Sequence, residues 1–230
     1  MTRTLFPPLF QDLPPDLGET YNPDAPWDLL GQTLDEALAN LPSSAIDSPL
    51  SPEVHLLGDR IVIGRGARIQ PGAFIEGPIR IGHDVVIRTG AYLRGGNWIG
   101  DNCVVGANTE VKRSIFLPGA KAPHLSYVGD SILGRGVNLG AGSVLSNLRH
   151  DGRQIAIPIG DSQLPTGRRK LGAILGDRVL TGCNCVLFPG VVVGRASQIY
   201  PGVQLRSGLY PAGCLVKLRQ ELEIVQLRTD

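Results

Sequence analysis

The chain is predicted to be an all-β protein, a three-sided parallel β-helix over residues 51–215 of its 230. Three observations carry this. From Leu57 a branched aliphatic fills every sixth position for eleven consecutive slots: Leu57, Ile63, Ile69, Ile75, Ile81, Ile87, Leu93, Ile99, Val105, Val111 and Leu117. Chance gives such a run on the order of one time in a million. Glycine often follows the aliphatic, as at Gly58, Gly64, Gly82, Gly100 and Gly106, where a corner needs a conformation that glycine reaches cheaply. Four residues beyond each aliphatic the side chain is small or β-branched, as in Ala67, Ala73, Val85 and Ala91. A helix of period 3.6 cannot keep an apolar residue on one side at strict six-residue spacing, whereas three short strands per turn can.

The period returns at Leu133, Leu139 and Leu145, and again at Leu175, Leu187, Val193, Ile199 and Leu205, with Thr181 filling one slot. Between these runs the repeat breaks twice, at 118–128 and at 148–170, and both breaks are expected to be loop excursions. Coils pack only on their neighbours, so the ends need covers. Residues 1–50 supply a proline-rich arm and one amphipathic helix over 27–41. Pro26 opens that helix, and Leu30, Leu34, Ala37, Leu38 and Leu41 fall at helical spacing. It is placed over the N-terminal coil. The tail 216–230 is expected to carry a C-terminal helix over 217–227.

Charges nearly cancel, 22 basic against 21 acidic residues. No global field therefore draws the chain to nucleic acid or to an acidic membrane. MTRTLFPPLF has no apolar leader core, and nowhere do 18 apolar residues run uninterrupted, so the cytoplasm is the default. Cys183 and Cys185 form a C-x-C without a second pair, and Cys103 and Cys214 are isolated. No metal is expected. Cys103 and Cys185 occupy the small-residue slot of the repeat, which makes them structural. His55, His83, His124 and His150 lack the close spacing that a zinc site on such a fold would need.

Side chains leave the wall of a solenoid where its regularity fails, so the breaks are where an active site belongs. The first presents His124 and Tyr127. A lone loop histidine is, without context, a solvated or structural residue; it is also the side chain suited to proton transfer at neutral pH. Arg94 and Lys112 are 18 residues apart, one coil. They are either a stacked seat for a phosphate or two unrelated surface charges.

The hexads resemble those of the hexapeptide-repeat acyltransferases, whose coil is a left-handed parallel β-helix. EVKRSIFLPGAKAPHLSYVGDSILGRGVNLGAGSVLSN, residues 110–147, resembles the acetyltransferase domain of the bacterial GlmU family of acetyltransferase/uridyltransferases. SNLRHDG, GRRKLGAILGD and FPGVVVG are similar to segments of archaeal bifunctional sugar-1-phosphate nucleotidylyltransferase/acetyltransferases. The resemblance spans roughly residues 55–217, and HLSYVGD and GVNLGAGSVLSN are its distinctive parts. It implies that His124 is the catalytic histidine, helped by Asn147 and Tyr127. Arg94 and Lys112 become phosphate ligands, Glu110, Asn138, Asn147 and Tyr127 surround an amino sugar, and Arg153 replaces a lysine. Ala141, Cys183 and Ser197 match cofactor positions.

Two departures stand out: Leu148 where bacterial members have tyrosine, and Ala156 where archaeal relatives have lysine. No L-x-x-G-x-G-T-R segment is present, so uridyltransferase activity is not expected. The implied reaction moves an acetyl group from acetyl-CoA to the amine of a hexosamine 1-phosphate, without an acyl-enzyme, in a homotrimer. Arg168, Arg169 and Lys170 would meet CoA phosphates or form a solvated basic turn, and the 149–170 excursion would reach an adjacent subunit. The alternatives are a non-catalytic scaffold and an acyltransferase for a nucleotide-linked sugar.

Overall fold

The computed structural model describes residues 6, 8–18 and 21–226; parts of the expected arm and the last residue of the expected C-terminal helix lie outside them. Short parallel strands stack as a left-handed β-helix from Ser44–Ile46 to Leu215–Val216. Each coil crosses a first, a second and a third face, then continues one strand spacing along the axis, roughly 4.8 Å. The first face holds nine strands and the third eight. The second consists of two ladders, joined where Asn138 bridges Lys121 and Leu180.

The core is a column of inward side chains, Ile63, Ile69, Ile75, Ile81, Ile87, Leu93, Ile99, Val105 and Val111, all buried. After Val111 the frame slips. Phe116 pairs with Ile99 and points inward, while Leu117 joins a second apolar cluster outside the tube. Ala122, Val128, Leu133, Leu139 and Leu145 then continue the column. Two coils are thus one residue short: Tyr127 pairs with Glu110, 17 residues back, where Glu110 pairs with Tyr92, 18 back. The segment 118–128 is therefore no excursion. Its residues Lys121–His124 and Tyr127–Gly129 are ordinary strands of the second and third faces. A similar departure opens the tube: Leu56 packs against the core and Leu57 is exposed.

The expected amphipathic helix is two pieces, a 3-10 helix Pro26–Leu30 and an α-helix Gln32–Ala39, interrupted at Gly31. They cover a flank rather than the N-terminal end. One rung of register-paired residues on the first-face strands, Trp98, Ile115, Ile132, Ile174 and Val192, points outward and is apolar. Phe6, Leu9, Phe10, Leu17, Trp27, Leu30, Leu34 and Leu38 pack over them as a strap. Arg60 donates to the carbonyls of Ala39 and Leu41, at 2.7 and 2.8 Å, and so ties the end of the strap to the first coils.

The 148–170 excursion is closed at its base by an antiparallel bridge between Leu148 and Lys170. Its centre is a hairpin, Ala156–Ile159 with Ser162–Pro165, and Ile155, Ile157 and Leu171 bury themselves in the strap cluster. The hairpin thus folds onto its own chain. Residues 217–226 form neither helix nor strand, contrary to expectation, and Leu222, Ile224 and Val225 are exposed. No helix among the described residues is long and apolar enough to cross a membrane.

Candidate active site on the third face

Side chains alternate in and out along a strand, so each face carries outward ladders. On the third face, register places Phe74, Tyr92, Glu110, Tyr127 and Val144 on successive rungs. Two residues on, Glu76, Arg94, Lys112 and Gly129 form a second ladder at the third-to-first corner. Arg94 and Lys112 are adjacent rungs. Each already has an anion: Arg94 Nη1 lies 3.2 Å from Glu110 Oε1, and Lys112 Nζ donates to Asp130 Oδ2 at 2.9 Å. One rung below, Tyr92 Oη donates to Glu76 at 2.6 Å.

Asp130, which sequence reasoning did not single out, organises this corner. Its side chain is only 3 % exposed, and Oδ2 also accepts from Asn147 Nδ2 at 2.5 Å. The Asn147 amide and the Tyr127 hydroxyl meet over Gly129, where a Cβ would stand 2.7 Å from both. Only glycine leaves room for the pair. Burial, then the Glu110 and Asp130 carboxylates, push the Tyr127 phenol above its ordinary pKa, so it stays protonated and can donate. A signal for Asp130 did exist in the sequence: it follows Tyr127 and Gly129 in HLSYVGD, 18 residues beyond Lys112.

His124 lies at the other edge of the third face, on the second-to-third corner. Its carbonyl accepts from Gly142 N–H, and the Ala141 carbonyl accepts from Asn184 N–H. His124, Ala141 and Cys183 therefore stack on consecutive coils. The imidazole is exposed and has no partner among the described residues. Leu125, just after it, adopts φ of 48° and is exposed, a left-handed conformation that bulky residues rarely take. The side chains that follow the imidazole on the next two coils, Ala141 and Cys183, are small.

The remaining candidates are placed elsewhere. Asn138 is on the second face, beside Lys121 and Leu180. Arg153 is exposed at the start of the excursion, past the Arg149–Asp151 ion pair. Ser197 is fully buried in the first-to-second corner, its hydroxyl donating to the Pro211 carbonyl and accepting from Cys214 N–H; it presents nothing to a ligand. The side chains of Cys103 and Cys185 are buried in the core. Beyond Tyr127 along the face, Val144, Leu148, Val186, Phe188 and Pro189 line an apolar cleft of about 560 Å³, with Leu148 supplying wall rather than a phenol.

Residues 60–95 match the model of the bacterial transferase hexapeptide (six repeats), and residues 96–117 that of the hexapeptide repeat of succinyl-transferase. Over 177 residues, 77% of the chain and 44% of the relative, it is 39% identical to a bifunctional sugar-1-phosphate nucleotidylyltransferase/acetyltransferase of Sulfurisphaera tokodaii. To the bifunctional protein GlmU of Methanococcus maripaludis it is 37% identical, over 76% of the chain and 41% of that protein. The chain thus spans less than half the length of these curated relatives. Among solved structures, an Arabidopsis UDP-N-acetylglucosamine acyltransferase is similar over 70% of the chain and 65% of its own, at 12% identity and a TM-score of 0.37.

Proposed function

Because this chain belongs to the hexapeptide-repeat transferase family, we propose that it transfers the acetyl group of acetyl-CoA to the amine of a hexosamine 1-phosphate, working as a homotrimer. One observation carries the reading: an imidazole with no partner among the described residues, His124, on one edge of a face whose other edge stacks two cations, Arg94 and Lys112. A ligand lying across that face has its phosphate at the cations and its amine toward the imidazole.

His124 accepts the amine proton as nitrogen attacks the thioester carbonyl, and the C–N bond forms. The tetrahedral oxyanion is stabilised by a donated hydrogen bond from the protonated Tyr127 hydroxyl and by backbone N–H near Ala141. As the C–S bond breaks, the imidazolium returns the proton to the departing thiolate, leaving the amide and CoA. An imidazole can both accept and return a proton, so one side chain serves both halves. Asn147, held by Asp130, orients the acceptor.

The thioester chain runs along the small side chains of Ala141 and Cys183. Asn138 projects from the second face, so in one copy it cannot share a ligand with the third face. A ring of three copies that sets second face against third face would bring Asn138 to a neighbour's substrate. Arg153 approaches from the excursion.

The test is thiol release from acetyl-CoA with glucosamine 1-phosphate, galactosamine 1-phosphate and UDP-linked amino sugars. His124→Ala is expected to lower turnover by about 10² or more. Near-normal thiol release by that variant ends the proposal.

A further inference from the structure

The third face continues past the proposed acceptor site toward the N-terminal coils, and its character changes there. Beyond Glu110 the outward ladder is aromatic: Tyr92, Phe74 and His55 occupy three successive rungs. Phe74 stacks on His55, with centroids 5.6 Å apart and planes 28° apart, and meets Tyr92 edge-on at 5.5 Å and 87°. Phe74 is 37% exposed, and Leu57, on the adjoining corner ladder, 55%. Phe, Trp and Tyr make up only 5% of the chain, so this alignment differs from the scattered single apolar residues that any surface shows. The outward apolar residues of the first face lie under the strap, whereas His55 and Phe74 are exposed.

Position decides what such a surface can serve. The coil that carries Tyr127 also carries His124, and Phe74 stands three rungs from Tyr127, roughly 14 Å along the axis. Arg94 and Lys112 flank the intervening rungs, Tyr92 and Glu110. A hexosamine 1-phosphate therefore ends at the two cations and leaves the rings empty, and a group attached beyond its phosphate reaches them. Two cations one rung apart match the consecutive phosphoryls of a diphosphate. Perpendicular rings offer a flat group a face on one side and an edge on the other. Glu76 precedes Arg94 on the corner ladder. Its carboxylate accepts the Tyr92 hydroxyl at 2.6 Å and Gly95 N–H at 3.4 Å, which leaves lone pairs for hydroxyl donors.

We propose that these rings are a nucleobase platform, and that the acceptor site takes the nucleoside diphosphate-linked form of the amino sugar as well as the free 1-phosphate. The inference rests on the reading that the acceptor amine approaches His124 with its phosphate at Arg94 and Lys112. The base stacks on Phe74 and His55, the ribose hydroxyls donate to Glu76, and the diphosphate lies along the two cations. The transfer step is unchanged, because the same amine gives up the same proton. Stacking accepts the π-face of every base, so the platform selects a class of acceptor rather than one nucleoside.

Calorimetry on wild type, Phe74→Ala and Phe74→Trp with UDP, ADP and inorganic pyrophosphate tests this, with thermal unfolding to check that each variant folds. Wild type is expected to bind both nucleotides at least fivefold more tightly than pyrophosphate. Phe74→Ala is expected to lose about tenfold in affinity for the nucleotides and less than twofold for pyrophosphate. Phe74→Trp keeps the nucleotide affinity, and its added indole is quenched by UDP and not by pyrophosphate. In thiol-release assays, Phe74→Ala raises the KM for UDP-glucosamine at least fivefold more than that for glucosamine 1-phosphate. Equal affinity of wild type for UDP and pyrophosphate would overturn the inference, as would equal losses on both in Phe74→Ala. A smaller species of Phe74→Ala in light scattering, with nucleotide affinity intact, would give the rings to a second copy and overturn it too. If wild type releases no thiol with any amino sugar yet binds UDP through Phe74, the transferase reading fails and the platform stands. Thiol release with glucosamine 1-phosphate and no binding of UDP removes the platform alone.

Discussion

Asp130 holds Lys112: its almost fully buried carboxylate accepts the ammonium at 2.9 Å and, through the same oxygen, the amide of Asn147. A charge pair removed from water is strongly damaged when one partner goes, because the other is left uncompensated. Asp130→Ala is expected to cost about 3 kcal/mol in urea unfolding. Lys112→Met combined with Asp130→Asn should cost less than the two single changes added together, since no orphaned charge remains. Additivity in that cycle would show that the two groups do not interact.

The tube itself was legible because its physics is local. One inward aliphatic per strand repeats without reference to anything distant, and Ile63 to Val111 keep strict step. The slip after Val111 was not legible: dropping one residue between Lys112 and Ile115 leaves an aliphatic, Leu117, in the expected slot although Phe116 fills the core. That substitution of one apolar residue for its neighbour made two regular strands look like a loop. The strap was hidden for a related reason. Ile115, Ile132, Ile174 and Val192 adjoin the inward residues, so they read as thicker strands rather than as a second apolar surface. At the site, the stacking of Arg94 and Lys112 was recoverable from coil spacing, whereas His124 was singled out at an apparent break that is regular strand, and its role came only from resemblance. Asp130 stands 18 residues beyond Lys112, but the coil there is 17 residues long and Lys112 pairs with Gly129, so its contact with Lys112 and Asn147 depends on the turn after that strand.

The strap predicts a separable failure. Ile132 is fully buried on the outer side of the first face, beneath the N-terminal segment. Ile132→Arg places a charge there without touching the inward column, so the strap should come away while the tube survives. Limited chymotrypsin digestion is expected to cut within 6–41 at least tenfold faster, leaving a resistant core. Loss of the core together with the strap would mean that the two fold as one unit.

Three of the four cysteines, Cys103, Cys183 and Cys185, should separate by reactivity. Burial pushes the Cys103 thiol up to about 12 and raises that of Cys185, whereas Cys183 is exposed. Since the thiolate is the reactive form, Cys183 is expected to react promptly with Ellman's reagent, and Cys103 and Cys185 only after denaturation. Saturating acetyl-CoA should slow labelling of Cys183 if the thioester runs past Ala141; an unchanged labelling rate would remove that track from the proposal.

Alkaline pH should loosen the strap at a defined place. Tyr21 packs against Phe10, with ring centroids 5.9 Å apart. Burial, then the Asp177 and Asp24 carboxylates, raise its pKa from 10.0 to about 12. The folded state therefore prefers the neutral phenol, and the unfolded segment ionises first. The stabilisation is complete below pH 10 and is lost between about 10 and 12. Asp177 is the anchor on the other side: its carboxylate accepts Gln11 N–H at 2.7 Å and Arg135 N–H at 2.9 Å, so its charge is built into the docking. Strap release, followed by the fluorescence of Trp27 and by chymotrypsin sensitivity, is expected to rise across that interval in wild type. Tyr21→Phe carries no ionisable group, so its release profile should lose the step at lower pH and shift toward general alkaline unfolding. An identical profile in the two proteins would place the alkaline weakness elsewhere in the cluster.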